Sequence, residues 1–209
     1  MSRVLLVDDD KILLHIAQEF LKQEAPDLEY ITVTSAQEAL ERLAKEKFDV
    51  VVSDYLMRDV NGLDLLQKLR IEGNQIPFIM FTGQGREEVA MQALNLGANH
   101  YLMKGVEPKS TFGELAHIIV QLIDHKRTEE ALRQSRQLLE RSFFTLNEAL
   151  FVIDADTVRV VDCNPAASRI FGYSREEMIG RTITFLHIDA DSLERFREHL
   201  YPAIEKEGY

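Results

Sequence analysis

Residues 4–10 read VLLVDDD, four apolar residues running directly into three aspartates. Val4–Val7 has the length of a strand and no alternating polar positions, so both of its faces need cover. A run that stops at Asp8, Asp9 and Asp10 reads as a buried strand rather than a targeting segment, which would carry a basic-then-apolar pattern. Strand-length apolar runs follow at Tyr30–Val33, Val50–Val52, Phe78–Phe81 and Tyr101–Met103. Longer stretches at helical spacing lie between them. Ile12, Leu13, Ile16 and Phe20 share one helical face, as do Ala36, Ala39, Leu40 and Leu43. The same spacing joins Leu65, Leu66 and Leu69, then Val89, Ala93 and Leu96, then Leu115, Ile118, Ile119 and Leu122. Five strands alternating with five helices predict a five-stranded parallel sheet covered on both sides. Right-handed crossovers make it a flavodoxin-like, doubly wound α/β fold.

In such a sheet the functional groups gather beyond the carboxyl ends of the strands. The first strand ends in Asp8–Asp10, the third in Asp54, the fourth in Thr82 and the fifth in Lys104. Taken singly, each has an ordinary explanation: aspartate caps helices well, Asp54 suits a turn, Thr82 a strand end and Lys104 a solvated surface. Their joint arrival at one edge argues for chemistry. Clustered carboxylates repel unless a cation sits among them. Hard oxygen donors favour Mg2+, which keeps waters and shares a phosphate. A carboxylate can attack phosphorus to form an aspartyl phosphate, and a metal, a lysine and a hydroxyl donor stabilise the charge that develops on the phosphoryl oxygens. Asp54 is the expected phosphoacceptor.

VLLVDDD, VVSDYLMRDVNG (51–62), PFIMFTG (77–83) and GANHYLMKG (97–105) together resemble the receiver domain of response regulators over residues 1–125. The resemblance implies a two-component phosphorelay role, with a histidine kinase or phosphotransfer protein as the donor to Asp54. It implies Mg2+ held by Asp8 (through water), Asp9, Asp54 and the backbone carbonyl of Leu56. It implies that Thr82 and Lys104 contact the phosphoryl oxygens and that Thr82 and Tyr101 form the switch. Asp10 is left as a helix cap. Two residues depart from the family pattern. Gly105 stands where a proline, often cis, usually follows the lysine, and Arg58 stands where a proline often follows the methionine. Neither position is a phosphoryl ligand; both bear on loop shape and output coupling.

The helical pattern from Thr111 scarcely stops, and Asp124–Ser142 contains no proline or glycine. Residues 126–142 therefore read as a helical linker. Leu122, Leu132, Leu139, Phe143 and Leu146 partly follow a 3–4 spacing that His125, Glu129 and Arg136 interrupt. A homodimer pairing helix and a solvated connector fit that pattern equally. After Asn147 two strands are expected, Ala149–Ile153 and Val158–Val161, around a turn at Asp154–Asp156. A helix follows over Pro165–Phe171 with Gly172 as its stop, then a capping box from Ser174 to Glu177, a stop at Gly180, and a last helix from about Asp191 to Glu205. ALFVID (149–154) and VVDCNPAASRIFGYSREEMIGR (160–181) resemble the first half of a PAS domain. Residues 143–209 are thus expected to be the N-terminal part of an incomplete α+β PAS domain. Cys163 lies in the wrong segment for a flavin-adduct cysteine, and His187 and His199 read as ordinary loop and helix residues rather than haem ligands.

Charge narrows the partners. The net charge of -11 divides as -8 over residues 1–125, +2 over 126–142 and -5 over 143–209. Neither globular part has the positive field that a nucleic-acid backbone demands, and no basic helix-turn-helix is evident. No apolar run reaches bilayer length, and the single cysteine excludes an intrachain disulfide. A cytoplasmic protein with neither nucleic-acid nor membrane partner is expected. The chain shows no phosphohistidine helix or glycine-rich ATP site, so no activity beyond receiver self-phosphorylation and dephosphorylation is expected. Two readings stay open: a receiver that relays its state through a helix to a PAS module, and the N-terminal input fragment of a hybrid sensor histidine kinase.

Overall fold

The computed structural model describes residues 1–58, 60–83 and 87–186. The chain divides into two compact units, Met1–Glu130 and Ala131–Tyr209.

In the first unit the apolar runs pair as β1 (Ser2–Val7), β2 (Leu28–Val33), β3 (Val50–Ser53), β4 (Phe78–Thr82) and β5 (His100–Met103). All four pairings are parallel and the order is β2-β1-β3-β4-β5. The helices are α1 (Lys11–Glu24), α2 (Ala36–Lys45), α3 (Gly62–Ile71), α4 (Glu87–Asn95) and α5 (Pro108–Thr145). Strand residues alternate between two cores. Leu5, Val7, Val51, Phe78 and Met80 pack with residues of α2, α3 and α4. Val4, Leu6, Val50, Val52, Ile79 and Phe81 pack with residues of α1 and α5. This two-sided cover is why the strands lack polar alternation. Val7 pairs with both Val33 and Ser53, which brings the carboxyl ends of β1, β2 and β3 level.

The apolar faces expected of α2, α3, α4 and the start of α5 are the ones that pack on the sheet. The first helix differs. Leu14, Ala17 and Leu21 are its buried residues, Leu13 and Phe20 flank them, and Ile16 and Ile12 are exposed, Ile12 to 73%. Apolar residues at 12, 13, 14, 16, 17, 20 and 21 admit two overlapping stripes, so spacing alone does not choose between them. Asp10 caps its start: Oδ1 accepts from the N–H groups of Ile12 and Leu13 at 2.8 and 3.1 Å. Phe20 then stacks on Phe112 of α5, ring centroids 5.4 Å apart.

The helix α5 is continuous over 38 residues. Its buried positions run from Thr111 to Ile123, whereas Leu132, Leu138 and Leu139 are exposed. The boundary between the units falls within it. No described helix is long and apolar enough to cross a membrane.

The second unit begins with an antiparallel pair, β6 (Phe151–Ile153) and β7 (Val160–Cys163). Both strands start about two residues later than their apolar runs. The Asp154 carboxylate accepts from the N–H and hydroxyl of Thr157, and Val158 sits at φ 57, a left-handed conformation that a β-branched residue rarely adopts. That turn takes Val158 out of the ladder. Next come α6 (Pro165–Phe171), ended by a left-handed Gly172, and α7 (Arg175–Met178), opened by the Ser174–Glu177 capping box. A 3-10 turn spans Ile183–Leu186. Asn164 is buried and ties these pieces together. Its Oδ1 accepts from the N–H groups of Leu150 and Ala167, each at 3.0 Å, and its Nδ2 donates to the Glu148 carbonyl at 2.8 Å. Cys163 is buried beside it, and burial pushes its thiol pKa up. The helix expected over Asp191–Glu205, with His187 and His199, lies outside the described residues.

The placement of α1 is open to a direct check. Leu21→Ala should cost about 2–5 kcal/mol of unfolding free energy as a cavity forms, and Ile12→Ala should stay within about 0.5 kcal/mol of wild type. Urea denaturation of the two variants measures both; equal losses would mean the helix presents a different face.

Candidate functional site

The sheet order reverses between β1 and β3, and ligands bind α/β sheets at such a switch point. Asp8 follows β1 and Asp54 follows β3, side by side at that crevice. The Asp54 N–H donates to the Val7 carbonyl at 2.8 Å, so the ladder itself holds the two aspartates together. Asp8 is 7% exposed and Asp54 8%. Lys104, just beyond β5, reaches across: its Nζ donates to Asp8 Oδ2 at 2.7 Å and to Asp54 Oδ1 at 2.9 Å. Its ammonium also lies 5.6 Å from the centroid of the Phe81 ring.

The remaining expected residues sit around this core. Thr82 is the last residue of β4, fully buried, and its carbonyl accepts from the Lys104 N–H at 2.8 Å. Tyr101 lies on β5, half-buried against the core on the α2–α4 side of the sheet. The Leu56 N–H donates to Asp54 Oδ2 at 3.0 Å, leaving its side chain exposed. Asp9 Oδ2 lies 3.2 Å from Arg58 Nε. Asp10 caps α1, and its N–H donates to Asp8 Oδ1 at 2.8 Å.

Opposed influences act on Asp54. Burial pushes its pKa up, and the charge of Asp8 adds to that; the ammonium of Lys104 and the Leu56 N–H act the other way, and the net direction is upward. Loss of solvation thus outweighs the single lysine shared between two carboxylates.

Among the described residues no three His, Cys, Asp or Glu side chains converge as a ready-made metal cage. The donor set still fits Mg2+, which asks for one or two carboxylates and keeps waters and phosphate oxygens for the rest. Asp8, Asp9 and Asp54 supply hard oxygens at one edge. Each hydrogen-bonded carboxylate oxygen retains a further lone pair. A metal here competes with Lys104 and Arg58 for these atoms.

Two glycines shape the site in ways that spacing did not reveal. A Cβ on Gly62 would run into the Asp54 carbonyl oxygen, and the Gly62 N–H donates to the Tyr55 carbonyl at 2.9 Å. The loop after Asp54 can close only because α3 begins with a residue lacking a side chain. A Cβ on Gly105 would lie 2.5 Å from Thr111 Oγ1. That hydroxyl donates to the Glu107 carbonyl at 3.0 Å. A proline at 105 would crowd this contact; the described residues contain no cis peptide bond.

The family profile of the response regulator receiver domain matches residues 4–115, more than half of the chain, and that of the PAS domain matches residues 147–206. The chain belongs to the response regulator receiver family, with a PAS segment following its long helix. It is 24% identical to the response regulator SaeR of Staphylococcus aureus, over 93% of this chain and 90% of that protein. The receiver domain protein (CheY-like) of Methanospirillum hungatei JF-1 is 28% identical, with a TM-score of 0.52 over 60% of this chain and 98% of that one. The response regulator TrrA of Thermotoga maritima, solved in complex with Mg(2+)-BeF, is 24% identical, with a TM-score of 0.51 over 58% of this chain and 99% of that one. These likenesses establish the receiver fold and the two-component class.

The upward shift at Asp54 predicts a pH signature in metal-free buffer. A carboxylate that is harder to ionise when folded destabilises the protein once pH exceeds its unfolded value. Asp54→Asn should therefore be more stable than wild type at pH 7. The advantage should vanish as pH falls below the carboxylate range. Thermal unfolding in EDTA between pH 3 and pH 8 measures this; an Asn variant less stable at pH 7 would contradict it.

Proposed function

We propose that this receiver accepts a phosphoryl group on Asp54 from a histidine kinase or phosphotransfer protein and relays its state along α5 to the PAS segment. The observation that carries the reading is the sharing of Lys104 Nζ by Asp8 and Asp54, carboxylates brought from two strands to the carboxyl edge of the sheet. In the transfer, a lone pair of ionised Asp54 attacks phosphorus, the acyl phosphate bond forms and the bond to the donor histidine breaks. Lys104 is placed to follow the negative charge from the carboxylate to the phosphoryl oxygens, with the Thr82 hydroxyl as a second donor. Mg2+, held by Asp8 through water, Asp9, Asp54 and the Leu56 carbonyl, would supply charge neutralisation across the transferred group. The chain's own catalysis is limited to its phosphorylation and dephosphorylation, and we place it in the cytoplasm, apart from nucleic acid and membrane.

A phosphoryl group adds about two negative charges and new acceptor oxygens beside Thr82. Thr82 turning toward them would open space next to Tyr101, whose ring already borders the core shared with α4. Movement there would alter the face made by α4 and α5 and so shift the continuation of α5. The exposed Leu132, Leu138 and Leu139 on the linker part of α5 support pairing with a second copy, so the output is a change in homodimer geometry.

The test is labelling with a small-molecule phosphodonor and Mg2+, followed by mass spectrometry of the acid-labile adduct. The expected result is one phosphoryl group on Asp54 and none in Asp54→Asn; full labelling of that variant would refute the assignment. In the same series, spin labels at Arg133 and Glu140 should report changed inter-helix distances with beryllofluoride. Identical distances, or a monomer throughout, would refute the relay.

A further inference from the structure

Among the described residues two cations pair with the acidic edge, and they divide it unequally. Asp8 and Asp54 share Lys104, whose side chain is 18% exposed. Asp9 has Arg58, on the loop after β3, whose Nε lies 3.2 Å from Asp9 Oδ2 and whose side chain is 83% exposed. Arg58 also borders an open groove of about 750 Å³, formed with Asp9, Asp10, Thr34, Ser35 and Met57. The guanidinium thus holds a proposed metal ligand while having room to withdraw into solvent.

We infer that Arg58 is an internal counter-ion for Asp9 that occupies this ligand in the Mg2+-free protein, is displaced when Mg2+ binds, and so lowers the receiver's metal affinity. The inference rests on the reading of Asp9 as a metal ligand. An interaction made in the metal-free state and given up on binding reduces affinity by its full strength. A nearby positive charge opposes a dication with the same sign. An exposed ion pair of this kind corresponds to roughly a two- to five-fold effect, and it must fade with salt because both partners reach solvent. Arg58 stands where the family often has proline, so the device belongs to this chain's loop rather than to the shared fold. It is a positioning residue for metal loading and touches no transferred group.

The experiment is a Mg2+ titration of the full chain by calorimetry or amide chemical shifts, at about 20 mM and 300 mM salt. It compares wild type with Arg58→Ala, Lys11→Ala and Asp9→Ala; Lys11 is a second cation on the groove wall. Arg58→Ala should bind Mg2+ roughly two- to five-fold more tightly at low salt, with the gap closing at high salt. Its unfolding midpoint should lie below wild type in EDTA and match it in saturating Mg2+. Equal affinities for Arg58→Ala and wild type at low salt, with binding still lost in Asp9→Ala, would overturn the inference and leave the metal reading intact. Equal tightening in Lys11→Ala would also overturn it, by showing a general field rather than a pair. Unchanged binding in Asp9→Ala would instead remove the ligand assignment on which the inference rests.

Discussion

Lys104 holds two nearly buried carboxylates at once, and the rest of the receiver depends on that bridge. Asp8 and Asp54 lie within the reach of one ammonium, 2.7 and 2.9 Å from its Nζ. Without a cation, two carboxylates in so little solvent would repel each other and lose hydration together. The lysine donates to both and so offsets part of the cost of placing two carboxylates side by side. It compensates only partly, as the upward pull on Asp54 records.

The fold delivers this arrangement through strand order. β1 and β3 are neighbours because the first crossover carries the chain from β1 out to β2 and the second carries it back past β1 to β3. That reversal opens the crevice where Asp8 and Asp54 emerge. β5 lies two strands away from β3, so a long side chain is needed to span the gap from its end, and lysine has that reach. The close approach of Gly62 to the Asp54 carbonyl fixes the loop after Asp54 from the other side. The sheet, the loop and the lysine thus converge on one carboxylate from three directions.

Much of this is legible in the chain because strand ends and chemistry coincide. An apolar run closing on aspartates, threonine or lysine marks both where a strand stops and what it presents. The reading was weaker where several apolar residues sat side by side. In α1 the packed face is Leu14, Ala17 and Leu21 rather than Ile12 and Ile16, and a count of apolar positions does not separate the two stripes. In the second unit, a hydrogen-bonded aspartate turn put Val158 in a conformation its residue type disfavours and moved the start of β7 to Val160. The pairing of Asp9 with Arg58 is a contact between distant loops, and the packing of Gly105 on Thr111 is one between a loop and the first turn of α5. Residues 9 and 58 look unrelated until the sheet brings their loops together.

The most direct measurement of the bridge is the unfolding free energy of Lys104→Met, in EDTA and in saturating Mg2+. Methionine keeps most of the lysine's length and removes its charge. If the ammonium is what holds Asp8 and Asp54 together, the variant should lose about 2–4 kcal/mol in EDTA and recover much of that loss when Mg2+ is added. A variant as stable as wild type in EDTA would contradict the account.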